Sequence, residues 1–271
     1  MLARQKIAVI GAGKLGETLI KALLEAKAVQ AEQVTITTRH PENAQRKAQA
    51  LGVRAAADNA AAAKDADVLI VSVKPQVMAE ALGSIKKVVG KDQLIISTAA
   101  SVSTAFMERH LAAGVPVVRT MPNTACLVRA GMTGVCAGKT ARRDHLAVAE
   151  GLFAAMGKTI ILDEKYMDAV TGLSASGVAF MYVTLESMAE GGVAAGLPRE
   201  IATELAAQTM LGAARMVQET REHPAKLKDV VTTPAGTTID GLLELESGGL
   251  RVTLIKSVMK AAKRAAELVN G

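Results

Sequence analysis

The stretch Lys6–Gly16, KIAVIGAGKLG, decides the fold of the first part of the chain. A short apolar, β-branched run ends at Ile10, and glycines then follow with the spacing Gly11-x-Gly13-x-x-Gly16. Between a strand and a helix, this spacing is typical of a dinucleotide-binding βαβ unit. The first glycine allows a tight turn, the second lets the backbone approach a pyrophosphate, and the third permits close helix–strand packing. A turn that requires glycine but binds nothing is the alternative interpretation.

Strand-like and helix-like segments alternate as far as about residue 163. Continuous apolar runs such as Val68–Val73 are typical of strands buried on both faces of a parallel sheet. The alternation predicts an α/β fold with a Rossmann-type, doubly wound sheet, and a dinucleotide-binding domain over residues 1–163. The predicted strands cover residues 6–10, 34–38, 68–73, 94–96, 115–118, 132–135 and 159–162, and the predicted helices 14–26, 41–50 and 75–89.

The rest of the chain predicts an all-helical domain over residues 164–271, with helices at 169–195, 199–220 and 250–269. One segment, Ala169–Leu185, carries no charged residue. This segment is too short and too polar to predict a membrane-spanning helix. Because a helix without a charged face must bury itself in protein, we expect this segment to form the core of the helical domain and a subunit interface.

Composition narrows the function classes. The 271 residues are 50% hydrophobic but include only three Phe, two Tyr and no Trp, so the core is built from aliphatic side chains and Met. Binding of nucleic acid by base stacking needs aromatic platforms, so we do not expect it. The net charge of +6 is dispersed along the sequence and also suits polyanionic small ligands.

The only cysteines are Cys126 and Cys136. No histidine neighbours them at metal-ligand spacing, so we expect no metal site, and two cysteines are too few for a disulfide framework. The first residues lack the charged and then apolar leader of a secreted protein. These features predict a cytoplasmic protein that does not bind membranes.

The residues after the second predicted strand indicate which cofactor binds. An NAD site usually places Asp or Glu there, but this chain has Thr37-Thr38-Arg39-His40. The planar, permanently charged Arg39 can hold a 2′-phosphate, and Thr37 and Thr38 can donate hydroxyl hydrogen bonds. The sequence therefore favours NADPH, with NADH possible. A solvated loop cation is the alternative for Arg39.

Three other strand ends are expected at the same edge of the sheet, where ligands of open α/β sheets bind. Lys74, in the segment 73–76, either contacts the cofactor or is a surface lysine at a helix start. The small side chains of residues 97–100, STAA, leave room for a nicotinamide ring, and residues 121–124, MPNT, are expected to form one wall of the crevice.

A second anion site is predicted in Thr232–Gly241, TTPAGTTIDG. Proline and glycine end one helix, and Thr237 with Asp240 forms a capping signature for the next. The N-terminus of a helix has unpaired N–H groups and a positive dipole, which suit a small carboxylate. We expect Thr237 to cap and Thr238 to bind, although a purely capping role for Thr238 is the alternative.

The chain resembles the pyrroline-5-carboxylate reductase family, the last enzyme of proline biosynthesis, over nearly its whole length. The segment from Pro234 to Gly249 carries the signature region of that family and is far more specific than the glycine triplet. The other matching segments are the Ile-Gly-Ala-Gly opening at 10–13, Val73–Pro75, Met121–Thr124, Asp168–Gly177, Ala195–Arg199 and Ala206–Thr209.

The resemblance implies reduction of 1-pyrroline-5-carboxylate to L-proline by hydride transfer from NADPH to the cyclic C=N bond. It implies an intertwined homodimer in which each active site joins the cofactor domain of one chain to the helices of its partner, and often a decamer of five dimers. The implied catalytic residue is Thr238, the implied substrate-binding residues are Gly236, Thr237, Thr238, Ser176 and Glu164, and the residues implied to border the nicotinamide are Thr98, Ala99, Ala100, Met121, Pro122 and Asn123. The other implied cofactor-binding residues are Ile10, Gly11, Ala12, Gly13, Lys14, Leu15, Gly16, Thr37, Arg39, Asn59, Ser72, Val73 and Lys74.

The chain departs from the family pattern at two places. Ala175-Ser176-Gly177-Val178 stands where the family has Gly-Ser-Gly-Pro, and Ala125-Cys126 stands where it has Pro-Ala. Losing a mid-helix proline should straighten a helix near the site. These departures leave the choice of imine open, and a six-membered cyclic imino acid is the first alternative substrate.

Two further alternatives stay open at this point. A β-hydroxyacid-type dehydrogenase has a similar two-part architecture but needs a catalytic lysine in its long helix, and Ala169–Leu185 contains none. A non-catalytic NADPH-binding sensor or scaffold is the alternative from outside the enzymes. No His, Asp or Lys is an obvious general acid for an imine reductase.

Overall fold

A computed structural model describes residues 5–268 of the chain. The described chain divides into two compact units. The sheet unit comprises the residues up to Ser176 together with those from Lys260 onward, and the helical unit comprises Gly177–Met259.

Eight described strands form one sheet with the order β3-β2-β1-β4-β5-β6-β7-β8. All neighbouring strands pair in parallel except β6 and β7, which are antiparallel. The order runs outward in both directions from β1 and β4, so the connections reverse direction between these two strands. The strands are β1 Ile7–Ile10, β2 Val34–Ile36, β3 Arg54–Ala55, β4 Val68–Val71, β5 Leu94–Ser97, β6 Val117–Met121, β7 Gly131–Ala137 and β8 Gly157–Ile161.

The central strands are buried on both faces. In β1, Ile7 and Val9 belong to the apolar cluster on one face, whereas Ala8 and Ile10 belong to the cluster on the other. The same alternation continues through β4 and β5. Two apolar layers on one parallel sheet confirm the predicted doubly wound α/β fold.

Seven α-helices of the sheet unit flank or follow the strands. Two of them, at residues 104–110 and 143–154, were not predicted from the sequence, and neither was the two-residue strand β3. A third, at residues 59–64, coincides with the Ala-rich run 60–63, whose composition favours a helix. Where one helix was predicted from Pro75 to Val89, the structure has a 3₁₀ turn, Pro75–Val77, before a shorter helix. The helices are α1 Lys14–Glu25, α2 Pro41–Leu51, α3 Asn59–Lys64, α4 Met78–Ile85, α5 Thr104–His110, α6 Arg143–Ala154 and α7 Met167–Val170, with further 3₁₀ turns at Ala31–Gln33, Thr124–Val128 and Glu164–Tyr166.

The helical segments beyond α7 largely follow the prediction. The predicted helix at 199–220 has the same bounds in the structure, and the end predicted for the last helix, residue 269, lies outside the described residues. The predicted helix at 169–195 is not a single α-helix, because Thr171–Ala175 is a π-helical turn. The remaining helices are α8 Gly177–Ala194, α9 Arg199–Thr220, α10 Pro224–Val231, α11 Thr237–Ser247 and α12 Leu250–Glu267.

The uncharged helical segment within Glu164–Ala194 is less buried than the sequence predicts. Among the described residues, Glu164–Ala194 is the helical run that is long and apolar enough to cross a membrane, judged by length and composition, and 11% of its most apolar window is buried. Within α8, Met181, Tyr182 and Val183 are exposed. The expectation that this segment forms the core of the helical domain is therefore wrong for a single chain. Its apolar surface is left largely exposed in the single chain.

The contact between β7 and β8 generates a stability prediction. Gly157 has φ +143°, and a Cβ added to it would collide with the backbone of Gly131, its partner across the two strands. We expect Gly157→Ala to lower the free energy of unfolding by roughly 1–3 kcal/mol, as overpacking does. Urea denaturation at constant m-value measures the change.

The control for this experiment is Gly83→Ala. Gly83 is an exposed residue of α4 with no atom within 4 Å of the added Cβ. Because alanine is the better helix former, this variant should gain about 0.5–1 kcal/mol. Equal effects of the two substitutions would contradict the steric argument.

Candidate active site

A cleft of about 600 Å³ lies at the carboxyl ends of β1, β2 and β4. This is the point where the strand order reverses direction, which is where open α/β sheets bind their ligands. Ten of the predicted cofactor-binding residues line the cleft: Ile10, Gly11, Ala12, Gly13, Thr37, Arg39, Asn59, Ser72, Val73 and Lys74.

The three glycines have the geometry that their predicted roles require. Gly11 has φ +81°, and an added Cβ would lie 2.5 Å from Val73 Cγ1. At Gly16 an added Cβ would lie 3.3 Å from the Gly11 carbonyl oxygen, so the helix packs closely on the turn. At Gly13 the nearest atom to an added Cβ is 3.9 Å away. The protein itself therefore has room for a side chain at the second glycine, and the predicted approach of a ligand to this backbone stays a prediction.

The start of α1 is open to an anion. Gly13 is the N-cap residue, and it offers no side chain to the first N–H groups of the helix. Lys14, Leu15 and Gly16, which are predicted cofactor-binding residues outside the cleft lining, form the first turn. Their backbone amides and the helix dipole favour a phosphate group at this position.

A chain of hydrogen bonds joins Ser84, Asn59 and Thr37 along the lining of the cleft. Ser84 Oγ donates to the Ala81 carbonyl oxygen at 2.6 Å, so it accepts from Asn59 Nδ2 at 3.0 Å. Asn59 Oδ1 then accepts from Thr37 Oγ1 at 2.7 Å, and Thr37 Oγ1 lies 3.4 Å from the Gly11 N–H. The Thr37 hydroxyl therefore donates its hydrogen bond to Asn59.

The hydroxyl of Thr38 is also committed, because it donates to the His40 carbonyl oxygen at 2.7 Å. Both hydroxyls thus donate within the protein in this structure, and the hydrogen bonds from Thr37 and Thr38 to a ligand stay a prediction. Thr37 holds Asn59 and the glycine turn in place.

One rim of the cleft is cationic. Arg39 and Lys74 are exposed there, together with Arg46 of α2. Lys47 of α2 donates to the Ala12 carbonyl oxygen at 2.9 Å and to Glu17 at 3.0 Å, so it ties α2 to the glycine turn. Hydrogen bonds from Lys21 and Lys47 hold the pKa of Glu17 below its ordinary value.

Several lining residues were missed from the sequence. Asn43, Arg46 and Lys47 have helical spacing on α2, which begins two residues after Arg39. A stricter use of that spacing could have found them. The other residues missed are Val77, Glu80, Ala81 and Ser84, which the sheet topology brings to the cleft from the α4 segment.

The residues predicted to border a nicotinamide lie outside the cleft lining, at the carboxyl ends of β5 and β6. Thr98 donates to Ser72 Oγ at 3.1 Å, Ala99 is buried, and Ala100 packs beside Met121. Asn123 Nδ2 donates to Ser174 Oγ at 3.2 Å and so ties the end of β6 to the π-helical turn.

Glu164 belongs to an ionic cluster that the sequence did not predict, in which Arg119 is buried and the two carboxylates are partly exposed. Its two carboxylate oxygens accept from the backbone N–H and the hydroxyl of Thr104, at 2.7 and 2.6 Å. Arg119 in β6 donates to Glu164 at 3.3 Å and to Asp168 at 3.5 Å. An arginine within the apolar strand segment was the available signal, because a buried charge needs partners. The role of Glu164 in substrate binding stays a prediction.

At the start of α11, the structure changes one part of the predicted anion site, the identity of the N-cap residue. The N-cap residue is Gly236, no side chain caps the helix, and Thr237 is already its first helical residue. The predicted capping role of Thr237 is therefore wrong. Thr237 and Thr238 are exposed, and the first amides of this helix carry no side-chain cap. Ser176 follows the π-helical turn, and its N–H donates to the Thr171 carbonyl oxygen at 2.9 Å.

The model of the pyrroline-5-carboxylate reductase dimerisation family matches residues 164–268. The model described as NADP oxidoreductase, coenzyme F420-dependent, matches residues 6–101. A pyrroline-5-carboxylate reductase of Methanosarcina acetivorans is 41% identical over 98% of this chain and 99% of its own.

This chain belongs to the pyrroline-5-carboxylate reductase family. The resemblance noted from the sequence motifs is thereby confirmed.

Solved structures of the family agree with this assignment. A pyrroline-5-carboxylate reductase from Coxiella burnetii has a TM-score of 0.90 at 34% identity, covering 97% of this chain and 98% of its own. The pyrroline carboxylate reductase of Plasmodium falciparum, solved with NADP bound, has a TM-score of 0.89 at 26% identity, covering 99% of this chain and 100% of its own.

Both departures from the family pattern fall on well-defined structure. Val178 replaces the family proline in the first turn of α8, directly after the π-helical turn at Thr171–Ala175, so this helical run is irregular without the proline. Cys126 is buried in the 3₁₀ turn Thr124–Val128.

Among the described residues, no group of three His, Cys, Asp or Glu is placed to hold a metal ion.

The buried cysteines generate a prediction of reactivity. Burial raises the pKa of both thiols, and with the Glu164 carboxylate nearby the pKa of Cys136 rises to about 12. Because the thiolate is the reactive form, both thiols should stay unmodified by 5,5′-dithiobis(2-nitrobenzoic acid) at pH 8 in the folded protein. The release of thionitrobenzoate measures the reaction.

The same protein in guanidinium chloride is the control, and both thiols should react there. Rapid reaction of Cys136 in the folded state would contradict the assigned environment.

Proposed function

We propose that this chain reduces 1-pyrroline-5-carboxylate to L-proline with NADPH as the reductant. The single observation that carries the proposal is the start of α11, where exposed Thr237 and Thr238 follow an uncapped Gly236 in the signature segment of the family. That arrangement suits a compact carboxylate with a hydrogen-bonding group beside it.

The cleft fits NADPH on two observations. The second glycine lacks a side chain where the protein leaves room for one, and the rim at the end of β2 carries Arg39 instead of a carboxylate. Gly11, Gly13 and the first amides of α1 would hold the pyrophosphate, and Arg39 would hold the 2′-phosphate. Bound NADPH supplies the hydride that reduces a C=N carbon. NADH is the alternative cofactor.

The helix start would hold the imino acid. The backbone amides of residues 236–238 bind its carboxylate, and the Thr238 hydroxyl lies near the ring nitrogen. There Thr238 polarises the imine or relays a proton through water. Among the described residues we assign no general acid, because the imine can arrive already protonated. The chain then contributes chiefly by holding the reactants together in a fixed electrostatic environment.

We also propose that a second copy of this chain covers the exposed apolar helices. The dimerisation family model matches residues 164–268, which include the whole apolar run Glu164–Ala194. An isologous dimer buries such faces twice over. The resemblance extends this proposal to active sites shared between two chains and to a decamer of five dimers. Exposed residues to be covered include Met181, Tyr182, Val183, Ile201, Leu205 and Val230.

The start of the dimerisation match at residue 164 supports the division proposed from the sequence, with a dinucleotide-binding domain over 1–163 and a helical substrate and dimerisation domain over 164–271. The two buried free cysteines support a cytoplasmic location, where thiols stay reduced. We propose that the chain binds neither nucleic acid nor membranes.

An NADPH-oxidation assay tests the function. The chain is assayed with 1-pyrroline-5-carboxylate and then with the six-membered cyclic homologue, because Ala175, Val178 and Ala125 depart from the family pattern. A higher kcat/KM for the five-membered ring supports the proposal. A preference for the six-membered ring would reassign the substrate, and binding of NADPH without turnover of either imine would make the chain a non-catalytic NADPH-binding protein.

The role of Thr238 can be tested by substitution. We expect Thr238→Ala to lower kcat several-fold or more and to leave the Kd for NADPH nearly unchanged, because the hydroxyl serves the imine alone. Thr238→Ser keeps the hydroxyl and should retain most of the activity. Steady-state kinetics equal to those of the parent in the Ala variant would remove Thr238 from the mechanism.

The choice of cofactor can be tested at the cleft rim. We expect Arg39→Glu to weaken NADPH roughly 10- to 100-fold while NADH is far less affected, because only NADPH carries the 2′-phosphate. Fluorescence titration with each cofactor measures the change. Arg54→Glu, on an exposed strand residue outside the cleft lining, is the matched control. Equal losses for both cofactors would argue against a 2′-phosphate contact.

A further inference from the structure

Arg119 is a buried charge at a position where a stable core would place an apolar side chain. Its side chain is 4% exposed, and the rest of β6 is buried as well. Removing a guanidinium from water is costly, and ion pairs repay that cost only with good geometry. The contacts to Glu164 and Asp168 are long, at 3.3 and 3.5 Å, and Nε has no partner among residues 5–268.

Stability alone does not account for such a residue. Replacing a buried ion pair by apolar side chains is often neutral or stabilising, and an incompletely satisfied polar group needs another explanation. Exceptions to the packing rules are expected chiefly at functional sites. The position of Arg119 in the sheet indicates which function it serves.

Arg119 connects two segments that the proposed reaction depends on. It lies in β6 just before Met121–Asn123, the predicted wall of the nicotinamide site. Its partners are Glu164 in a 3₁₀ turn and Asp168 in α7, and both precede the π-helical turn Thr171–Ala175 and the predicted substrate residue Ser176. A π-helical turn is a local irregularity that often occurs at functional sites.

Further hydrogen bonds add to this connection. The Glu164 carboxylate accepts from the N–H and the hydroxyl of Thr104, the first residue of α5, at 2.7 and 2.6 Å. At the other end of the segment, Asn123 donates to Ser174 Oγ at 3.2 Å. The segment 164–176 is thus held at both ends against the strand that carries the nicotinamide wall.

We propose that Arg119 is a positioning residue for the imine reductase reaction, which fixes the segment 164–176 against the end of β6 through Glu164 and Asp168. This inference rests on the proposed function. In the same geometry Glu164 takes part in this positioning through its contacts with Arg119 and Thr104. The cleft at β1, β2 and β4 is not part of this connection.

The test compares Arg119→Gln and Arg119→Lys with the control Arg129→Gln. Arg129 forms an exposed ion pair with Glu25 in the same unit, so its loss should change little. We expect Arg119→Gln to lower kcat/KM for the imine roughly 10- to 100-fold, as small misplacements of reacting groups do. The Kd for NADPH should stay within about twofold of the parent, because the cleft residues are untouched. Arg119→Lys keeps the positive charge but loses the planar guanidinium that can contact two carboxylates. Its kcat/KM should therefore lie between those of Arg119→Gln and the parent.

A second measurement does not depend on turnover. Amide hydrogen exchange over residues 164–176 should become faster in Arg119→Gln and stay unchanged in Arg129→Gln, because only the first variant releases the segment. If the parent turns over neither imine, the proposed function fails, and this exchange measurement still decides whether Arg119 positions the segment.

A milder variant keeps the test decisive if Arg119→Gln does not fold. Thr104→Val removes the hydroxyl that Glu164 accepts from and keeps the shape of the side chain and all charges. It should show the same pattern with a smaller loss. The proposal is overturned if imine kcat/KM in the variants equals that of the parent, if the Kd for NADPH rises as much as the KM for the imine, or if exchange over 164–176 is unchanged.

Discussion

The close approach of the β1–α1 turn to the end of β4 is the constraint on which the rest of the site depends. Gly11 has φ +81°, and a side chain there would meet Val73 Cγ1 at 2.5 Å. This turn places the first amides of α1 at the point where the strand connections reverse direction. Two sets of contacts then hold the turn in place. One is the chain of hydrogen bonds through Thr37, Asn59 and Ser84, and the other is the hydrogen bond from Lys47 to the Ala12 carbonyl oxygen.

The two predicted anion sites share one structural feature and differ in the side chains around it. At α1 and at α11 the N-cap is a glycine, so no side chain competes for the first helical amides. Around α1 the protein adds cations, which match a ligand with several phosphate charges. Around α11 it adds the hydroxyls of Thr237 and Thr238 instead, which match a small acid with a hydrogen-bonding ring atom.

Local patterns in the sequence predicted the architecture well. The apolar run of β1 and the prolines on either side of α9, Pro198 and Pro224, are local sequence features, so the bounds of these elements could be predicted closely. The two-residue strand Arg54–Ala55 has no periodicity to read. The capping role of Thr237 was misplaced by one residue, because Gly236 already has the extended backbone of an N-cap and the sequence pattern cannot show that. The roles of Lys47 and Arg119 depend on partners brought together only by the sheet topology.

The exposed aliphatic faces of α8 and α9 have a thermodynamic consequence for the proposed dimer. In that dimer the apolar area of these helices would be buried between copies and not within one chain, so unfolding of the helical unit and dissociation would be linked equilibria. The melting temperature of such a protein rises with its own concentration, and dilution acts on it as a denaturant does.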